Sequence, residues 1–241
     1  MFRVLVIVAV LSVATSLPLP SYVKKCKLND PSFNECALRV ARETVPNILK
    51  GDRKYNIPNL NPLKVTEIKV AQGNDLTLTL KDIDIIGIPD VEIKEVKMDS
   101  KTLDTELHVF FPSFGIIGKY DINGKILVLP IKGDGNINLT QTDLDVVYKV
   151  KLPKKTKADG KEYLSPEDGK VDFKTSRSYI NLDNLFNGDK ALGDNTNKFL
   201  NENWMDVIQE LGPPVGEAIA QIISEILSGV LDVVPADEVF D

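Results

Sequence analysis

The chain has 241 residues, 43% of them apolar and 27% charged, and a formal net charge of −6. That length suits one large domain with a substantial core. The acidic balance argues against nucleic acid or an anionic membrane surface as main partner, since both select stripes of Lys and Arg, and the longest basic run, Lys154-Lys155 with Lys157 nearby, reads as a solvated loop.

Arg3 precedes a charge-free apolar run from Val4 to Val13, Ala14-Thr15-Ser16 offer small residues for cleavage, and Pro18 and Pro20 end any helix. A signal peptide over 1–16, a single domain over 17–241 and an extracellular location are expected. The rival, an N-terminal membrane anchor, is too short once the prolines break it. The cysteines, Cys26 and Cys36, form an isolated pair that a secretory route would oxidise to a disulfide. Closing so short a loop stabilises by roughly 2–3 kcal/mol in the chain-entropy account. Two Cys and the lone His108 leave a tetrahedral zinc set incomplete, so neither metal nor cofactor is expected.

From Phe33 to Lys50 the spacing is helical. Cys36, Val40, Thr44/Val45 and Ile48/Leu49 share one face, Glu35, Arg39, Arg42 and Glu43 the other, Pro46 bends or ends the run, and Gly51 stops it. A proline-stiffened connector runs from Tyr55 to Pro62. Then the period becomes two. Asp75–Leu80, Val91–Met98, Leu103–Val109, Ile116–Ile122, Lys125–Leu129, Gly135–Leu139, Leu144–Leu152 and Lys170–Ile180 alternate apolar with polar. Turn signals stand at Gln72-Gly73-Asn74, Asn123-Gly124, Gly133-Asp134-Gly135, Ala158-Asp159-Gly160 and Asp168-Gly169. Apolar parity slips between Leu80 and Ile83 and between Leu139 and Leu144, which bulges at Lys81/Asp82 and near Thr140–Asp143 would explain.

The helical period returns at Phe199 and continues through Val207/Ile208, Leu211, Val215, Ala218/Ile219, Ile222, Ile226, Val230 and Val233. Some ~38 residues would extend roughly 57 Å, with Pro213-Pro214 kinking or breaking the helix near Leu211. Glu217, Gln221, Glu225 and Asp232 give it a polar face, so stable membrane insertion is not expected. A curved antiparallel sheet wrapped around one long C-terminal helix, with a short N-terminal helix, buries both apolar surfaces; the class is α+β.

No nucleophile elbow, zinc-protease motif, phosphate loop or dinucleotide fingerprint occurs. Asp82-Ile83-Asp84 faintly echoes a calcium loop, but Ile86 and Ile93 stand where oxygen ligands are required. His108 falls on the polar parity of its strand with Asp104 and Glu106, and no enzymatic activity is expected. Asn138-Leu139-Thr140 is an N-glycosylation sequon whose Asn points outward if Ile137 and Leu139 point inward.

Leu185-Phe186-Asn187-Gly188-Asp189-Lys190, Leu192-Gly193, Asn197, Phe199-Leu200-Asn201-Glu202-Asn203-Trp204 and Glu210-Leu211 closely resemble the insect takeout and juvenile hormone-binding protein family. So do Cys26…Cys36, the Ile57-Pro58…Leu60-x-Pro62-Leu63 connector and Gly118-Lys119-Tyr120-x-Ile122-x-Gly124. The resemblance implies a tubular lipid-binding fold with a tunnel for a terpenoid or another long apolar ligand, and places the Phe33–Lys50 helix, with Val40, near one mouth. The hormone carriers of haemolymph have a second disulfide, so the single pair here implies the takeout branch.

The tunnel wall is then expected to combine Leu78, Leu80, Leu107, Val109, Phe111, Tyr120 and Ile122 from the strands with Trp204, Ile208, Leu211, Val215, Ala218, Ile219, Ile222 and Ile226 from the helix, with few polar anchors, the Tyr120 hydroxyl first among them. A monomeric carrier of a hydrophobic small molecule is the leading reading. A signalling or structural protein whose groove receives a partner or membrane lipid is the alternative. Because His108 lies on the wet face, a His108→Ala variant should keep full ligand binding; loss of binding by a folded variant would show that its face is misassigned.

Overall fold

The computed structural model describes residues 16–73 and 75–241; the signal segment expected over 1–16 lies, apart from Ser16, outside them. Helix α1 (Phe33–Ile48) carries Pro46 in its last turn and stops at Gly51, whose positive φ of 75° a side chain would strain. Cys26 and Cys36 are bonded beside it. Strands β1 (Leu63–Gln72), β2 (Leu76–Ile86), β3 (Glu92–Met98), β4 (Thr105–Ile126), β5 (Leu129–Lys151), β8 (Glu167–Lys174) and β9 (Arg177–Leu182) form one antiparallel sheet, while β6 (Lys154–Thr156) and β7 (Glu162–Leu164) make a separate small hairpin. Helices α2 (Lys190–Glu202), α3 (Trp204–Leu231) and the short α4 (Ala236–Val239) close the chain.

The sheet is built on a spine. β4 and β5 pair without a register break from Ile126↔Leu129 to Thr105↔Val150. At 22 and 23 residues they reach about 70 Å. Each flanking position is shared by two shorter strands: β2 and then β3 follow one another along β4, β9 and β8 along β5. The alternating runs expected as separate strands are thus halves of two continuous ones, and Lys125–Leu129 is the hairpin between them. Asn123-Gly124, Gly133-Asp134-Gly135 and Asp168-Gly169 do not turn the chain. Gly124 is needed for proximity: a Cβ there would meet the Asp75 carbonyl oxygen at 2.2 Å. Conversely, Lys170–Ile180 is not one strand but β8 and β9, divided at Thr175-Ser176.

The two parity slips are real and differ in kind. At the first, Asp82 takes φ 49°, the β2–β4 register shifts between Lys81 and Asp84, and Gly118 leaves room, since a Cβ on it would lie 2.8 Å from the Asp82 carbonyl oxygen. At the second, Asp143 takes φ 48° opposite Pro112, yet Phe111↔Leu144 and Ser113↔Thr142 keep one register. Both strands slip together, so both exchange faces there.

The C-terminal helix breaks elsewhere than its prolines suggest. Asn203 leaves helical conformation (φ −108°, ψ 27°), and its side chain donates to the Phe199 carbonyl at 2.8 Å. Pro213 and Pro214 lie inside α3 without interrupting it. The carbonyls they leave without a helical partner belong to Gln209 and Glu210, both exposed, so the lost bonds carry little burial penalty.

Helix α2 covers the free edge of β9. Asn201 accepts from the Ile180 amide (3.0 Å) and donates to the Ile180 carbonyl, and Asn197 does the same for Leu182. Two amides four residues apart lie on one helix face and stand in for the missing strand. An Asn201→Ala change leaves a part-buried N–H and C=O unpaired and should cost about 1–3 kcal/mol in chemical denaturation, with faster hydrogen exchange at Ile180.

Candidate functional site

Helix α3 is apolar on two faces roughly half a turn apart. Val207, Leu211, Val215, Ala218, Ile222 and Ile226 meet the main core of β1, β2, β4 and β5, which includes Leu80, Ile83, Tyr120 and Ile122. Ala220, Ile223, Leu227 and Leu231 meet a second cluster with Tyr148, Val150, Leu152 and Leu164. Only Val207, Gly216 and Ala220 of α3 are fully buried. Leu211, Val215, Ala218, Ile219, Ile222 and Ile226 are all partly buried, and none is exposed.

The helix is seated against β8 by small residues. A Cβ on Gly216 would lie 2.6 Å from the Val171 carbonyl oxygen. Two turns on, the Ser224 hydroxyl is 2.9 Å from the Tyr148 hydroxyl, joining α3 to the inner face of β5. Burial pushes the Tyr148 phenol upward, so it stays protonated and hydrogen-bonding. At the hairpin end, the Glu210 carboxylate accepts from the Leu127 amide at 2.9 Å.

Of the expected wall, Leu78, Leu80, Tyr120 and Ile122 lie with Leu211, Val215, Ala218, Ile222 and Ile226 around the main core. Leu107, Val109 and Phe111 share the inner face farther along, opposite Tyr148, Val146 and Leu144, and are half-buried. Ile208 and Ile219 fall between the two apolar faces of α3. Trp204 sits at the α2–α3 junction with the Arg177 guanidinium 5.5 Å from its ring centre, and Arg177 also covers the outward Tyr179. Val40 belongs to a separate cluster with Cys26, Phe33 and Phe240. His108 is placed on the outer parity, 3.3 Å from Asp145. Asn138 is exposed in mid-strand between Ile117 and Asn181.

Tyr120 differs from the role expected of it. Its hydroxyl donates to the Asp183 carbonyl at 2.6 Å, tying β4 to the segment after β9. Burial, with Asp134 and Asp183 nearby, pushes it up to about 12. The proton a ligand would have received is already committed. Two interior polar pairs escaped the sequence reading. Ser224 occupies the helix face that carries Glu217 and Gln221, so it reads as solvent-facing. Gln141 falls where parity slips, so its inward direction is invisible without the strand geometry.

The family model described as "Haemolymph juvenile hormone binding protein (JHBP)" matches residues 4–241. The circadian clock-controlled protein daywake of Drosophila melanogaster is 29% identical over 232 residues, covering 92% of this chain and 88% of its own, and daywake of Drosophila yakuba is 26% identical over 231. The crystal structure of Epiphyas postvittana takeout 1 superposes with a TM-score of 0.78 at 29% identity, over 91% of this chain and all of that one.

With its hydroxyl engaged by the backbone, Tyr120 should matter for stability rather than affinity. A Tyr120→Phe variant should lose about 1 kcal/mol in denaturant unfolding while ligand affinity changes less than about twofold; a large affinity loss at unchanged stability would restore the anchor role.

Proposed function

We propose a function from one premise: the chain belongs to the haemolymph juvenile hormone binding protein family. Members of that family bind hydrophobic small molecules. This protein is a secreted, extracellular, monomeric carrier that holds a terpenoid, a fatty-acid-like molecule or another long apolar ligand between α3 and the inner face of the sheet. The observation that supports this is the partial burial of Leu211, Val215, Ala218, Ile219, Ile222 and Ile226. Interior-facing side chains of a close-packed helix would be fully buried; partial access along a whole face fits an interior space lined by that face. An enclosed chain of ~15 methylenes would gain roughly 12 kcal/mol of gross transfer energy, reduced by the cost of ordering it.

A second reading takes α3 itself as the contact to a membrane or partner, since by length and hydropathy alone it suffices to cross a bilayer. The seating of Gly216 on Val171 and the Tyr148–Ser224 bond favour the carrier, because releasing α3 would sacrifice both. We assign no enzymatic activity. The exposed sequon residue Asn138 is proposed to carry a glycan, which intact mass before and after glycosidase treatment reports.

Solvent extraction of protein secreted by insect cells, followed by lipid analysis and native mass spectrometry, tests the carrier directly: one apolar molecule per chain is expected. Protein that leaves cells ligand-free and binds no apolar probe would reject it. Ala218→Phe, which enlarges a half-buried position in mid-helix, should shorten the longest ligand accepted. Unchanged affinity for long ligands across several such filled variants would place the space elsewhere.

A further inference from the structure

We propose that Gln141 is the polar anchor of the ligand space and selects a ligand bearing an O–H donor, a long-chain or terpenoid alcohol or a protonated acid, over an ester or hydrocarbon. The proposal rests on the carrier reading above. On the inner face, Ile116, Leu139 and Ile180 form one cross-strand row over β4, β5 and β9, and the next row is Phe114, Gln141 and Ser178. Gln141 is 5% exposed and Ser178 0%. The Gln141 Nε2 donates to the Ser178 hydroxyl at 3.1 Å, and the Gln141 Oε1 has no partner.

Other interior polar groups among the described residues already have a partner. Tyr120 is committed to the Asp183 carbonyl, Tyr148 and Ser224 to each other, Asn197 and Asn201 to the backbone of β9. The Thr44 hydroxyl oxygen is the other unpaired buried atom among the described residues, but it lies on α1, away from this face. A buried carbonyl oxygen without a donor is destabilising. Oε1 is itself buried, out of contact with bulk solvent. Its surroundings suit an apolar chain: Phe114, Leu139 and Ile180 are partly buried at the main core, and the Phe114 ring is tilted 60° to that of Phe111, 5.4 Å between ring centres. A ligand lying along Leu139 and Ile180 reaches Oε1 with its head group when the Phe114 ring turns aside. One Nε2 hydrogen is on Ser178 and Oε1 is the atom left with no partner, so the vacancy at Oε1 accepts and does not donate.

The test uses the delipidated full chain and displacement of a fluorescent apolar probe by an alcohol, the matching acid below its pKa, the methyl ester and the alkane, all of one chain length. The wild type should bind the alcohol about tenfold tighter than the ester or alkane. Gln141→Met should bind all four ligands alike and, having lost an unpaired buried carbonyl, unfold at a higher temperature without ligand, which shows that it folds. Ser178→Ala, which frees the amide N–H, should raise affinity for the methyl ester. Equal wild-type affinity for all head groups, or an alcohol preference that survives in Gln141→Met, overturns the anchor and leaves the carrier standing. Failure of every ligand to displace the probe overturns both.

Discussion

The position of α3 depends on one close approach. Gly216 lies against the Val171 carbonyl at a distance no side chain tolerates. That contact sets the helix on β8, buries Ala220 and brings Ser224 within hydrogen-bonding distance of Tyr148. With the helix held from that side, its opposite apolar face is turned toward the inner surface of β1, β2, β4 and β5. The spacing between helix and sheet is therefore set from the β8 side by backbone contact, and the side chains on the facing surfaces are free to be shaped by something other than each other. Such an arrangement suits the proposed carrier: a rigid frame whose lining is not used up in holding the frame together.

Charge contributes little to this frame. Pairs such as Lys24–Glu43, Lys64–Asp84 and Lys190–Asp194 are well exposed, where water and salt screen an ion pair to little net worth. Cohesion comes from the unbroken β4–β5 ladder, the apolar faces it presents and the backbone groups that side chains satisfy at its margins. Asn197, Asn201 and Glu210, residues of the motif that carries the family resemblance, all do the last of these: two complete the edge of β9, one holds the β4–β5 hairpin. That C-terminal motif is thus structural in its chemistry.

Periodicity made the class and order of elements legible. Period two runs through the middle of the chain and period 3.6 through both ends, and each corresponds to the elements observed. Even the parity slips at Asp82 and Asp143 were visible as slips. Strand continuity was not. A glycine in a strand pattern has the same signature whether it turns the chain or admits a neighbour, and only the Asp75 carbonyl beside Gly124 decides between them. The helix break was misplaced for a related reason: Pro213-Pro214 carries the stronger local signal, but exposed carbonyls tolerate it, whereas Asn203 ends α2 through a side-chain bond that sequence does not display. In the candidate site, spacing shows which apolar residues share a face, while the partners of the polar groups are not legible, because a hydroxyl's role depends on which backbone atom lies nearest. In sequence Tyr120 reads as an anchor; in the structure its hydroxyl braces the Asp183 carbonyl.

The uninterrupted pairing of β4 with β5 also bears on how the molecule is made. From the Leu127-Val128 turn onward each further pair closes only a slightly larger loop, so the spine can zip from local contacts. The helix that covers its inner face is encoded some fifty residues after β5 ends, and α3 is complete only at Leu231. During synthesis, then, a long antiparallel sheet with one greasy surface waits on the last sixth of the chain. Any slowing of translation or premature stop in that stretch leaves an adhesive intermediate rather than a smaller working protein, so the tail that lines the interior also governs whether the nascent chain escapes aggregation.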